Sequence, residues 1–245
     1  MNIYKQFKIL CLRYNVDGKN SKTLWNLIKP ICLHPEFKKR TYSPFWHHDT
    51  TTLGEHIMSD AIVTYKMIYK IKNRRKRLEF INLKIAIYIA MFHDLYEEPW
   101  QNNIKSKGKK FKNLHGFTHP IEAVVNAITW FPNIFQDEEE SLMIIDGIIH
   151  HMYPLPVRAI DEYKIELNNQ EKFDKLPEIY KKMIFVSTYI GRVGAFSFRK
   201  SFYIEGRIMS KADKLVALRK EICSAGAYLS LITGKNKKLL TKKED

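Results

Sequence analysis

Ile85-Ala-Ile-Tyr-Ile-Ala-Met-Phe92, followed at once by His93-Asp94, is the longest apolar run in the chain. It is too short to cross a bilayer, which takes about 18 apolar residues or more. The run is apolar on most sides, so the spacing predicts a buried helix over Phe80–Tyr96 that lies in the core. Ala86, Ile89, Ala90 and His93 fall at i, i+3, i+4 and i+7, which puts His93 on the buried stripe. A buried imidazole beside a carboxylate needs partners, because an unpaired polar group in a core costs up to several kcal/mol.

Working outward, the same periodicity recurs on both sides. Thr52-Leu-Gly-Glu55 fits a capping box and opens a helix with Leu53, Ile57, Ala61, Thr64 and Ile68 on one stripe. That helix ends in the basic run Lys70–Arg77. A Lys-rich loop spans Trp100–Asn113, and Thr118-His119-Pro120 opens a third helix that stops near Phe131-Pro132. Asp137-Glu-Glu-Glu140 is an acidic first turn for a fourth helix ending near His150-His151. Residues 157–180 read as a loop with short helical pieces, and helices near Tyr180–Val193 and Phe202–Leu231 close the domain. Before the apolar core, helices at Asn2–Tyr14 and Ser21–Cys32 lead into a Pro/aromatic loop, Tyr42–Asp49. Nothing shows sustained strand alternation. The predicted fold is all-α: an N-terminal accessory helical region over 1–48, a helical domain over 49–231 and a basic tail over 232–245 that frays.

Composition sets the class. A chain of 245 residues with 45% hydrophobic and 27% charged residues is a folded globular protein, long enough for one sizeable domain. The N-terminus is broken by charge too often for a secretory signal, and no stretch reads as a membrane span. Three separated Cys form neither a closed disulfide set nor a CxxC pair, so a reducing cytoplasm is the expected setting. The net charge of +15 is dominated by Lys, about three for each Arg. It reads mainly as a solvated surface with a general attraction for anions, phosphorylated substrates included. The runs Lys70–Arg77 and Lys105–Lys112 carry no nucleic-acid motif and little aromatic interleaving. The expected result is weak association with duplex DNA that vanishes near physiological salt. A groove neutralising several phosphates would instead bind tightly there, losing about 0.9 log units of affinity per contact per decade of salt.

The histidines are unevenly placed. His56 lies on the apolar face beginning at Leu53, His115 and His119 flank a Gly-Phe-Thr turn, His150 and His151 finish an apolar helix, and Asp213 stands among small and apolar neighbours. Imidazoles and carboxylates on separate core helices, all facing inward, are how helical bundles build metal centres. Asp60, Glu97 and Asp146 sit four residues from His56, His93 and His150, a spacing open to support of those ligands or to surface salt bridges. His34, His47 and His48 read as structural or exposed.

The ordered set His56, His93-Asp94, His119, His150/His151 and Asp213 resembles the HD superfamily of metal-dependent phosphohydrolases over residues 50–220, with no counterpart for 1–48. His115-Gly-Phe-Thr-His-Pro120 and His151-Met-Tyr-Pro-Leu155 are similar to a bacterial branch carrying His-Gly-Phe-x-His-Pro and His-Met-x-Pro-Leu. The resemblance implies an HD-domain helical bundle with a metal held by His56, His93, Asp94 and Asp213. It also implies a second metal on His119 and on one or both of His150 and His151, with Asp94 bridging. The Met-Tyr-Pro-Leu that follows favours His151. The cofactors so implied are one or two divalent ions (Mn, Fe, Mg, Co, Ni or Zn). Asp94 and Lys214 are the expected catalytic residues, and His115, Arg158 and Lys211 the expected substrate contacts. Leu95-Tyr-Glu-Glu-Pro-Trp100 replaces the Ile-Gly-Lys common elsewhere in the superfamily, and no Gly-Tyr-Pro follows His151, which separates the chain from the HD-GYP group. The expected activity is hydrolysis of a phosphate mono- or diester of a nucleotide or small phosphorylated metabolite. The alternative is a regulatory module that binds a nucleotide without turnover, and such a module would be expected to have lost a ligand.

Overall fold

The computed structural model describes residues 2–42, 45–48, 51–74, 80–99, 115–161 and 169–232. The basic run Lys105–Lys112, Arg75–Arg77, the side chain of His48 and the tail 234–245 lie outside them.

The N-terminal segment forms α1 (Ile3–Arg13), α2 (Gly18–Leu33) and α3 (Pro35–Lys39). Asn2 and Asp17 cap the first two through side-chain oxygens that accept from Tyr4 N and Asn20 N, each at 2.8 Å. A short antiparallel pair follows, β1 (Trp46–His48) on β2 (Thr51–Thr52). Next come α4 (Leu53–Arg74), α5 (Leu83–Phe92), α6 (His115–Trp130) and α7 (Glu138–Ile149). The chain finishes with β3 (Val157–Arg158), α8 (Gln170–Asp174), α9 (Glu178–Tyr189), β4 (Arg192–Val193), β5 (Phe196–Ser197) and α10 (Ile204–Ile232).

The predicted helices are present, with instructive differences. Thr52 Oγ1 accepts from Glu55 N at 3.3 Å, half of the expected capping box. The other half is replaced, because the Glu55 carboxylate pairs with Arg13 of α1 at 3.0 Å. The third helix starts at His115 rather than Thr118, so Pro120 lies inside it. The helix expected to run to Val193 ends at Tyr189, where Gly191 at φ +75° turns the chain into the β4–β5 hairpin. The turn of that hairpin is Gly194-Ala195, with Gly194 at φ +60°. The order of this small sheet is β3-β5-β4. The all-α expectation holds in its coarser form, a mainly helical fold with two small sheets. Ladders of two or three residues are too short to leave an alternating pattern in the sequence.

Helix α5 is the axis of the bundle. Ile85, Ala86, Ile87, Ile89, Ala90, Met91 and Phe92 are all buried, because α4, α7 and α10 pack around it. Burying a Leu- or Ile-sized side chain contributes about 1.5–3 kcal/mol, so this helix anchors its own C-terminus, where His93 caps it. The N-terminal helices share that core: Phe7, Leu24, Ile28 and Phe37 belong to the same buried cluster as Leu53, Ile89 and Phe92.

Gly147 lets α7 close on α5, and Gly206 lets α10 close on α7. A Cβ on Gly147 would come within 2.5 Å of Ile89 Cδ1, and one on Gly206 within 2.8 Å of Gly147 Cα. Gly206→Ala must push backbone against backbone. Overpacking of this kind costs about 1–3 kcal/mol, to be read as a lowered midpoint in denaturant titration.

Candidate metal centre

Helix α4 contributes His56 and Asp60, the end of α5 His93 and Asp94, α6 His119, the residue after the α7 cap His151, and α10 Asp213. The apolar stripes decide which way these side chains face. His56, Asp60 and His93 are fully buried, and His119, His151 and Asp94 nearly so.

Asp94 organises the group. Its Oδ2 lies 3.5 Å from His56 Nε2 and 3.6 Å from His93 Nε2, while its Oδ1 lies 3.3 Å from His119 Nε2 and 3.6 Å from His151 Nε2. His56 Nε2 is also 2.9 Å from Asp60 Oδ2 and 3.5 Å from Asp213 Oδ1, and His93 Nε2 is 3.5 Å from Asp60 Oδ2. His119 Nε2 and His151 Nε2 approach to 3.2 Å.

Around Asp60 these short approaches are not a hydrogen-bonded network. His56 Nε2, His93 Nε2 and both Asp60 oxygens are buried without a hydrogen-bond partner. The 2.9 Å contact of His56 with Asp60 is an ion-pair distance without hydrogen-bond geometry. The atoms converge on common points rather than on one another. Ligand atoms around an ion at about 2.0–2.2 Å stand about 2.9–3.6 Å apart, the edge lengths of octahedral and tetrahedral shells. His56, Asp60, His93 and Asp213 form one such group, and His93, Asp94 and His151 another. The donor set of imidazole and carboxylate fits a divalent ion of intermediate hardness.

Backbone carbonyls orient three of the rings. His93 Nδ1 faces Ala90 O at 2.9 Å, His119 Nδ1 faces His115 O at 3.0 Å, and His151 Nδ1 faces Ile148 O at 2.7 Å. A carbonyl can only accept, so each Nδ1 carries a proton, and in the neutral ring Nε2 presents the lone pair.

Burial and mutual charge set the protonation. Burial would lower the His56 imidazole, but the Asp60 and Asp213 carboxylates overcome it and hold it at about 10. Burial, reinforced by His93 and His119, takes His151 down to about 3. Burial opposes ionisation of Asp94 and Asp213, yet the surrounding imidazoles hold both carboxyls below their usual range. Burial raises Asp60. Concentrated cationic charge is what the Asp94 and Asp213 carboxylates favour.

Above the cluster opens a cavity of about 460 Å³. Asp94, His119, His151 and Asp213 form part of its wall with His47, His115 and Lys214, while Tyr96, Met152, Pro154, Leu155 and Ala217 make an apolar side. The ring of His115 stacks on His119 at 4.9 Å and meets Tyr96 edge-on at 4.8 Å. Lys214 Nζ donates to Ser210 Oγ at 2.7 Å and to His151 O at 3.1 Å.

The structure thus brings together His56, His93, Asp94, His119, His151 and Asp213, with His115 and Lys214 on the adjoining wall. Other expected residues are placed elsewhere. His150 turns away from the cluster, because its Nε2 donates to Ser187 O at 2.9 Å. Arg158 sits on β3, not on the cavity wall, and Lys211 lines a neighbouring hollow. Glu97 leaves the His93 side altogether and pairs with Lys172 at 2.6 Å. Asp146 lies 4.0 Å from His150, but it is taken up by Arg199 Nη2 at 2.5 Å, Ser201 Oγ at 2.6 Å and Phe202 N at 2.9 Å. This staple ties α7 to the start of α10.

Sequence reasoning left Asp60 open and missed His47. Asp60, read as a possible support, lies in the group of four side chains that could hold an ion. His47 stacks on His56 with centroids 3.6 Å apart, and its Nδ1 stands 3.8 Å from Asp94 Oδ2. Its place follows from the β1–β2 pairing, for which the sequence carries no periodic signal. Comparison of the chain with protein-family models, with curated proteins and with solved structures gives no match.

Proposed function

We propose that the chain is a metal-dependent phosphohydrolase of the HD type, acting on a phosphate mono- or diester of a nucleotide or small metabolite. The observation that carries this reading is the division of Asp94 between two sets of imidazoles, Oδ2 towards His56 and His93, Oδ1 towards His119 and His151. On this reading His56, Asp60, His93 and Asp213 would hold one divalent ion, His119 and His151 a second, and Asp94 both. Bound divalent ions lower the pKa of water towards neutrality and neutralise charge on a phosphoryl oxygen.

The chain's own residues supply the rest. The Nδ1–H bonds to Ala90, His115 and Ile148 carbonyls fix each Nε2 lone pair before any ligand arrives. Lys214, held by Ser210 and His151, offers a cation on the cavity wall beside Asp213. The apolar side of Tyr96, Leu155 and Ala217 keeps water from the reacting group and suits an apolar or planar leaving portion.

The test is a panel of phosphomonoesters and phosphodiesters offered with Mn, Fe, Mg, Co or Ni, with binding of each compound measured in parallel. Metal-dependent turnover of at least one ester supports the proposal. Nucleotide binding without turnover under any metal contradicts it and favours the regulatory module. His119→Ala should lower the metal content without emptying the site, as read by elemental analysis. Loss of all metal, or of none, would count against two ions.

A further inference from the structure

A second hollow of about 320 Å³ lies beside the first, and Lys214 lines both. Its wall is cationic. Arg207, Lys211 and Lys214 follow one another on α10 at spacings of four and three, so they form a single stripe along the helix. Lys200 joins them from the segment after β5, with its Nζ 5.4 Å from the Tyr153 ring centroid.

Of these four cations, Lys214 feels the charge of the neighbouring Asp213. Among the described residues, no carboxylate stands within ion-pair distance of Lys200, Arg207, Lys211 or Lys214. The nearby Asp146 is consumed by Arg199, Ser201 and Phe202 N, and Glu205 accepts from Asn82 N at 2.7 Å. Like charges at i, i+4 destabilise a helix by a few tenths of a kcal/mol, so Arg207 and Lys211 do nothing for the fold by their pairing. Arg207 Nε and Nη2 donate to the Ser201 and Phe202 carbonyls at 2.7 and 3.2 Å, which fixes the guanidinium and leaves Nη1 uncommitted.

We propose that this hollow is an anion site for a phosphate group, separate from the metal centre and joined to it through Lys214. Among the described residues, Lys200 Nζ, Lys211 Nζ and Arg207 Nη1 face one concave space with donors to spare, while Lys214 is held by Ser210 and His151; a multiply charged oxyanion requires such donors. The phosphate has two sources with the same chemistry: a second phosphate on the substrate of the neighbouring cavity, or a free phosphate. The hollow does not depend on the metal-centre reading.

The test uses the full chain treated with chelator, in about 0.15 M salt to screen the general positive field, titrated with inorganic phosphate by calorimetry. Lys200→Gln/Lys211→Gln is compared with Lys5→Gln/Lys8→Gln, which removes the same charge from α1. Saturable binding is expected in the wild type, weakened about tenfold or more by the first pair, since hydrogen bonds to charged groups are the stronger class, and kept by the second. Absence of saturable binding, equal loss in both variants, or no loss in the first would overturn the proposal. The source is read separately with metal-loaded protein. A KM raised in the first pair only for esters carrying a second phosphate assigns the substrate's own phosphate, and a change shared by all esters assigns a free one.

Discussion

Asp94→Ala is expected to strip the centre of metal and to lower turnover by roughly a thousandfold or more, because polarisation by an ion is worth several kcal/mol of transition-state stabilisation. The motive is geometric. Asp94 alone has one oxygen towards His56 and His93 and the other towards His119 and His151. Its loss removes a donor from both halves at once. The helices should survive, since α5 is held by its apolar faces and not by Asp94. Elemental analysis, circular dichroism and rate measured on the same preparation separate loss of site from loss of fold. Retained metal together with a retained rate would show that the carboxylate bridges nothing.

Arg40→Met is expected to have the largest effect on stability, about 2–4 kcal/mol of destabilisation, from lost charge-assisted hydrogen bonds worth about 1.5–3 kcal/mol and lost stacking on aromatic rings worth about 0.5–1 kcal/mol. Arg40 is fully buried. Its Nε and Nη2 donate to Tyr96 O at 3.1 and 2.5 Å, and its Nη1 to Glu36 O and Glu36 Oε2 at 2.6 and 3.1 Å. The guanidinium also stacks over Trp130 and Phe45, 4.5 and 5.1 Å from their centroids. Methionine fills much of the space but leaves the Tyr96 carbonyl without these donors. Tyr96 stands two residues from Asp94, so metal affinity should fall together with stability. Denaturant midpoints with and without chelator measure the two losses, and a variant as stable as the wild type would show that the bond network is idle.

The inward-facing His/Asp cluster was legible where helical periodicity governed it. His56 and His93 lie on the apolar stripes that the spacing predicts, and both are fully buried. Asp60 was ambiguous because a single stripe was read for α4. In the fold α1, α5 and α10 surround that helix, so His56, Ile57, Met58, Ser59, Asp60, Ala61 and Ile62 are all buried. Neighbours supplied by distant segments leave no mark on local periodicity. Glu97 was misplaced for the opposite reason. The helix ends at Phe92 with His93 as its cap, and beyond that point four residues no longer make one turn. The spacing of Asp146 and His150 was right for proximity but silent on Arg199 and Ser201, which arrive from more than fifty residues away. His47 depends on a hairpin of two short strands, and Lys200 on the segment between β5 and α10. Neither has a local pattern.

The central claim, that the inward-facing imidazoles and carboxylates are a divalent-metal centre, is tested most directly by metal content. The chain purified without chelator and saturated with Mn, Fe, Co, Ni, Zn or Mg should hold about two equivalents of at least one of these ions, fewer in His119→Ala and almost none in Asp94→Ala. A chain that takes up none of them saturably, while remaining folded by circular dichroism, would contradict the account.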